Sequence, residues 1–128
     1  MDTSFKLTEV AQPKAESVFT AWYRTQARMV LTERVKFFAR KYGFKVGKIR
    51  ISSARTRWGS CSAKETLSFT WRLVMAPLDV IDYVVVHELC HLRELNHSKA
   101  FWARVEKILP DYKKRRRWLK DNGSKLRL

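Results

Sequence analysis

Cysteine occurs only twice in the 128 residues, as Cys61 and Cys90. Two thiols build no disulfide framework, and a reduced, intracellular setting is expected. Glycine and proline are also scarce, at four and three, which excludes collagen-like and linker-like chains. No stretch approaches the roughly 20 apolar residues that a bilayer span needs. The start, Met1-Asp2-Thr3-Ser4-Phe5-Lys6, lacks the apolar core of a signal peptide. A cytoplasmic protein with no membrane partner is therefore expected. Acidic residues are few, 12 against 27 Lys and Arg, leaving a net charge of +15 and a pI near 10.4. Such a field attracts polyanions such as nucleic acid or nucleotides, and says nothing about the fold.

Hydrophobic residues make up 45% and aromatics 12% of the chain, enough for one globular domain with a conventional core. Residues 1–12 carry little periodic signal and read as a tail or partial first element. The single domain is expected over 13–121, with a C-terminal tail at 122–128. Pro13 suits the first turn of a helix. Ala27, Leu31, Val35, Phe38 and Tyr42 then recur on one face, up to Gly43, a natural C-terminal cap. Lys48 to Ser52 alternates as a half-buried strand does. Arg57 to Ser62 reads as a loop, and Leu67 to Leu73 as a second short strand. Pro77 opens a helix whose core stripe is Leu78, Ile81, Val85, Leu89 and Leu92. Val80, Tyr83 and Val84 make it apolar nearly all round, as befits a buried central helix. Ser98 can cap a further helix carrying Phe101, Trp102 and Val105, which Pro110 stops. A last short helix follows the basic run.

All three histidines fall within eleven residues, as His87, His91 and His97. Residues 87–91 read His-Glu-x-x-His. On a helix, positions i and i+4 are neighbours, with Cβ atoms about 5–6 Å apart, so two imidazoles can share one Zn²⁺. A third ligand at i+7 would stand about 10.5 Å along the axis from the first. At His97 the helix must instead have ended and the chain turned back. Asn96, which tolerates a left-handed conformation, is expected at that reversal. Three neutral imidazoles leave a fourth position for water, and Glu88 is placed to take its proton.

Other residues invite weaker assignments. Arg57, Arg72, Tyr83 and Tyr112 are candidates for binding substrate or holding a developing oxyanion. Glu94 reads better as a group supporting the ligands from behind, or as an ion-pair partner of Arg93 or Lys99, than as a ligand. Asp79 or Asp82 could orient a histidine N–H, although acidic residues early in a helix also suit its dipole. Cys61 and Cys90 read as small apolar groups. Lys113, Lys114, Arg115, Arg116 and Arg117 form an unbroken basic run, a candidate contact for phosphates or nucleic acid.

Several segments together resemble the YgjP-type zinc metallohydrolases, which are related to SprT-like peptidases. They are Arg57-Trp-Gly-Ser-Cys-Ser62, Leu67-x-Phe-x-Trp-Arg-Leu73, Ala76-Pro77, Asp82-Tyr-Val-Val-Val-His-Glu-Leu89, Asn96-His-Ser98 and Phe101-Trp102. The resemblance runs from about Ala15 to Lys120. It implies one zinc ion per chain on His87, His91 and His97, with Glu88 as catalytic base. It also implies an α+β, zincin-like metallopeptidase core: a long N-terminal helix, a short antiparallel sheet, the central helix and C-terminal helices. The chain departs from that pattern in its short stub before the first long helix, as a compact or truncated member would. It departs also in Thr70, where Asn is usual.

Three functions compete. A zinc-dependent metallopeptidase leads, with an extended peptide added along a sheet edge near Leu67 to Trp71. A nucleoside triphosphate pyrophosphatase would use Arg55, Arg57, Lys64 and Arg72 on the phosphates, but carboxylate-rich Mg²⁺ sites are the usual solution there. A basic nucleic-acid-binding module with a structural zinc ranks last, because structural sites have four protein ligands.

Overall fold

The structure is a computed structural model and describes residues 11–62 and 64–126, with side chains from Val18 onward. Most of the expected N-terminal tail lies outside the described residues. Helix α1 spans Ala11–Tyr42, which at 1.5 Å per residue is about 48 Å long. Ala27, Leu31, Val35 and Phe38 are buried along it, the face that the periodicity predicts. Gly43 ends it at φ 73°, and the Phe44 N–H donates to the Ala39 carbonyl at 2.9 Å. This left-handed cap satisfies one of the last open carbonyls.

Three strands follow: β1 (Lys48–Ser52), β2 (Gly59–Cys61) and β3 (Thr66–Thr70). Their order is β1-β3-β2. β1 runs parallel to β3, with Ile51 opposite Phe69, while β2 runs antiparallel, with Ser60 opposite Ser68. The sheet is therefore mixed rather than simply antiparallel. Residues 57–62, expected as a loop, contain β2. A three-residue strand has no period to detect, and only its pairing with β3 defines it. The second predicted strand stops at Thr70, and Trp71–Met75 form a 3-10 turn. Thr70 organises this corner: its hydroxyl donates to the Ala54 carbonyl at 2.7 Å and accepts from the Arg72 N–H.

Helix α2 (Leu78–His91) is the centre of the domain, in contact with α1, β2 and two later helices. Val80, Ile81, Val84, Val85, Val86 and Leu89 are all buried, and each contributes roughly 1.5–3 kcal/mol. Leu78, expected in the stripe, is exposed because it sits in the first turn, ahead of the packed part. A bidentate pair from Arg34 to Asp82, at 2.7 and 2.8 Å, ties α1 to α2. Asp82 therefore orients an arginine and not a histidine.

Helix α3 (Lys99–Ile108) starts at Ser98, whose hydroxyl accepts from the Phe101 N–H, as the sequence predicts. Helix α4 (Tyr112–Asn122) closes the domain. Within the expected C-terminal tail, Gly123–Leu126 form a 3-10 turn in which Gly123 and Leu126 are buried. A Cβ on Gly123 would come within 2.9 Å of the Trp58 ring, so glycine is what allows this turn to lie on the indole. Among the described residues, no helix is long and apolar enough to cross a membrane.

Candidate metal centre

α2 delivers His87 and His91 to one face a turn apart, and the chain then doubles back through 92–98 to bring His97 over them. The His97 Nε2 lies 3.1 Å from His91 Nε2 and 3.2 Å from His87 Nε2. Three nitrogens bound tetrahedrally at about 2.0–2.1 Å to one ion would stand about 3.3 Å apart. The spacing fits one metal ion. Hydrogen bonding also fits. The Nδ1 of His91 is 3.0 Å from the Glu94 carbonyl, which can only accept, so that nitrogen carries the proton and Nε2 is a bare lone pair. Nδ1 of His87 faces the Tyr83 hydroxyl at 3.4 Å. Burial and the neighbouring His91, His97 and Arg116 push His87 down to about 3, so it is neutral and available to a cation at neutral pH. His97 is lowered as well, first by burial.

The reversal does not use Asn96 as expected. Glu65, in the β2–β3 turn, is the only non-glycine residue at positive φ among those described. Seven residues between the helices are enough to turn without a left-handed residue. Glu94 pairs with Arg104 at 3.1 Å, not with Arg93 or Lys99. Arg93 instead stacks on Phe44 and donates to the Gly43 carbonyl. These contacts anchor the turn at both ends.

Beneath the histidines lies Phe101, fully buried. Its ring centroid is 5.0 Å from His87, 4.4 Å from His91 and 5.0 Å from His97. Trp102 stacks on His97 at 5.8 Å and on Tyr112 at 5.3 Å. In the sequence Phe101 and Trp102 read as apolar residues of this helix and as part of the family resemblance, with no role at the site. Their adjacency at the start of the helix after His97 is the signal that could have placed them under the site.

Glu88 is 5% exposed and faces two cavities that meet at the histidines. Burial pushes its carboxyl up to about 7, close to where a general base works best at neutral pH. Gly59 of β2 packs against it: a Cβ there would lie 3.1 Å from Glu88 Cγ and 3.2 Å from its Oε2. Gly59→Ala should displace the carboxylate by a few tenths of an ångström and lower kcat about tenfold or more. Metal content should be unchanged. Steady-state kinetics with elemental analysis checks this, and unaltered kcat would show that Glu88 has room to spare.

The remaining predicted residues divide. Arg57 and Tyr83 line the larger cavity beside His87 and Glu88. Tyr83 is buried against His87, and burial raises its hydroxyl to about 12, which keeps it protonated. Tyr112 is part of the aromatic stack and does not line that cavity. Arg72 is buried over the Trp71 ring and donates to the Ser53 and Ala54 carbonyls, away from the histidines. Asp79 accepts a hydrogen bond from Arg115 through its backbone carbonyl, at 2.9 Å. Cys90 is buried in the core and its thiol is raised to about 11 by burial; Cys61 lines the smaller cavity.

Helical geometry splits the basic run: Lys113, Arg116 and Arg117 share a face with Lys120 and line one surface groove, while Lys114 and Arg115 point elsewhere. Arg115 pairs with Asp111 at 3.0 Å and Arg117 faces Asp121 at 3.9 Å. Lys113 and Lys114 are exposed. Arg116 turns onto the Trp102 ring and lines the larger cavity, a position that the sequence could not distinguish from its neighbours'.

The fold has counterparts. The YgjP-like family, a metallopeptidase domain, matches residues 2–122. The chain belongs to the YgjP-like metallopeptidase family. No curated protein matches its sequence. The solved structures that resemble this YgjP-like chain include the metallopeptidase zymogen of Pyrococcus abyssi abylysin. That likeness has a TM-score of 0.63 at 22% identity and covers 71% of this chain and 93% of the other. It bears out the α+β metallopeptidase fold.

Proposed function

We propose that this YgjP-like protein is a zinc-dependent peptidase, with one ion held by His87, His91 and His97 and with Glu88 as general base. The observation that carries the reading is the convergence of three imidazole nitrogens beside a buried carboxylate, under a free strand edge. Three neutral nitrogen donors suit zinc better than the hard, oxygen-seeking Mg²⁺. Zinc bound there would supply a Lewis acid for the carbonyl and for an attacking water.

The protein's own residues do the rest. Glu88 accepts a proton from the attacking water and passes it to the departing amine. Phe101 and the Glu94 carbonyl hold the imidazoles in one tautomer and orientation. Tyr83 stays protonated and supports His87 from behind. The edge expected to hold the substrate, Leu67 to Trp71, is unsuitable because β3 has a strand on either side. β2 is the edge beside the histidines, and Gly59, Ser60 and Cys61 line the cavity there. An extended peptide can add to β2 by main-chain hydrogen bonds, which brings its carbonyl over Glu88. Free thiols at Cys61 and Cys90 suit a reducing cytoplasmic setting.

The phosphate-gripping set fares worse: of Arg55, Arg57, Lys64 and Arg72, only Arg57 lines the larger cavity. Elemental analysis of the purified protein should find one zinc per chain. Unstructured protein substrates should be cleaved, the activity should vanish after chelation, and zinc should restore it. Hydrolysis of nucleoside triphosphates without peptide cleavage would overturn the peptidase reading.

A further inference from the structure

The larger cavity carries a charge pattern for which the hydrolytic residues have no use. It has a volume of about 350 Å³, at the low end of the size range for ligand sites, and His87 and Glu88 are among its lining residues. Trp58, Val84 and Leu119 give it apolar walls, and Arg57 and Arg116 contribute two guanidinium groups. Glu88 is the only acidic residue lining it. Among the described residues no carboxylate pairs with Arg57 or Arg116, whereas the flanking Arg115 and Arg117 both have acidic partners. Arg116 is also held in place, its guanidinium 4.9 Å from the centroid of Trp102, the ring on which His97 stacks. Two unpaired cations over apolar walls, next to a hydrolytic centre, form a receptor for an anion on an apolar stem.

We infer that this cavity selects substrates by a carboxylate adjoining the scissile bond, received between Arg57 and Arg116. The inference rests on the peptidase reading and names its substrate class. The carboxylate is either the free C-terminus of a peptide or the side chain of Asp or Glu. Guanidinium groups bind carboxylates through two parallel hydrogen bonds. Both arginines are exposed in the free protein, so the attraction gains strength when the bound residue covers them and displaces water. The stem of that residue packs on Trp58, Val84 and Leu119.

The test uses zinc-loaded full-length protein and two matched peptide series. One compares free C-terminal acids with amides, the other Glu with Gln on either side of the cleaved bond. Dissociation constants are measured in parallel on metal-loaded Glu88→Gln, which should bind without turnover. The carboxylate member of one series should be favoured about 10- to 100-fold, mainly through KM and with the same ratio in binding. The series that discriminates identifies the source of the carboxylate. Arg116→Gln should remove most of the preference, and Arg116→Lys should retain part of it, with melting temperature and zinc content unchanged. Equal cleavage and equal binding of acids and their neutral partners would overturn the inference and leave the peptidase reading intact. An equal fall in kcat for all peptides in Arg116→Gln would also overturn it, and would assign Arg116 to the oxyanion. If no peptide in either series is cleaved, the peptidase reading itself fails.

Discussion

Glu88→Gln is expected to lower kcat about 10²–10⁴-fold, the usual worth of a positioned general base, while zinc content and melting temperature stay near those of the parent. The substitution keeps the shape of the side chain, so its packing beside Gly59 is preserved. It removes the one group beside the histidines that can both accept a proton from water and return it. The carboxylate projects from the same helix as His87 and His91 but does not contribute to their cluster of nitrogens. The metal should therefore be retained when the base is lost. Kinetics and elemental analysis on the same sample separate the two properties. Unchanged kcat with full zinc would sink the assignment of Glu88 as base.

The second large effect is expected from His97→Ala, with a fall in zinc affinity of more than about 100-fold. Loss of an outer-shell partner alone typically costs about 10–100-fold, and a direct ligand should cost more. His97 is the exposed member of the cluster, so truncating it removes little packing and the metal-free fold should survive. A bound ion stabilises the native state by mass action, by roughly 2.7 kcal/mol at a hundred times Kd. The parent should thus melt higher with zinc than after chelation, and the variant should lose most of that difference. Full occupancy in His97→Ala would move the third ligand elsewhere. Glu94 is already committed to Arg104, and Cys61 lines the adjoining cavity.

These effects follow from how rigidly the cluster is prepared. His91 is fixed on both faces of its chemistry, by the Glu94 carbonyl at one nitrogen and by the Phe101 ring stacked at 25°. His97 comes from a non-helical segment, yet Trp102 supports it and Arg93 and Glu94 anchor the turn that carries it. Imidazoles held in this way lose little freedom on binding a cation, which is the advantage of preorganisation.

Much of the architecture was legible in the chain because it rests on local periodicity. The buried face of α1, the glycine that caps it, strand β1, the central α2 and the Ser98 cap all follow from residues close in sequence. The histidine spacing is also local: four residues make one helical turn, so His87 and His91 had to share a face. What the sequence could not supply depends on distant partners. β2 is too short to show a pattern of its own and exists only through its antiparallel pairing with β3, in which Gly59 lies opposite Phe69. The parallel pairing of β1 with β3 likewise has no local signature, and it is what leaves β2 as the edge next to Glu88.

The sequence by itself determined the kind of site: three histidines at helical and turn spacing, and a glutamate next to the first. Tertiary structure alone decided which other side chains serve that site. Five consecutive cations are indistinguishable in a string, but on α4 they point in different directions, and only Arg116 meets Trp102 and the cavity. Arg72 looked equally available and is instead buried against backbone carbonyls. The reason is that the three histidines come from one short segment, two set by the period of a helix and the third by the turn that follows it, whereas the pocket beside them is assembled from elements that meet only when the chain has folded.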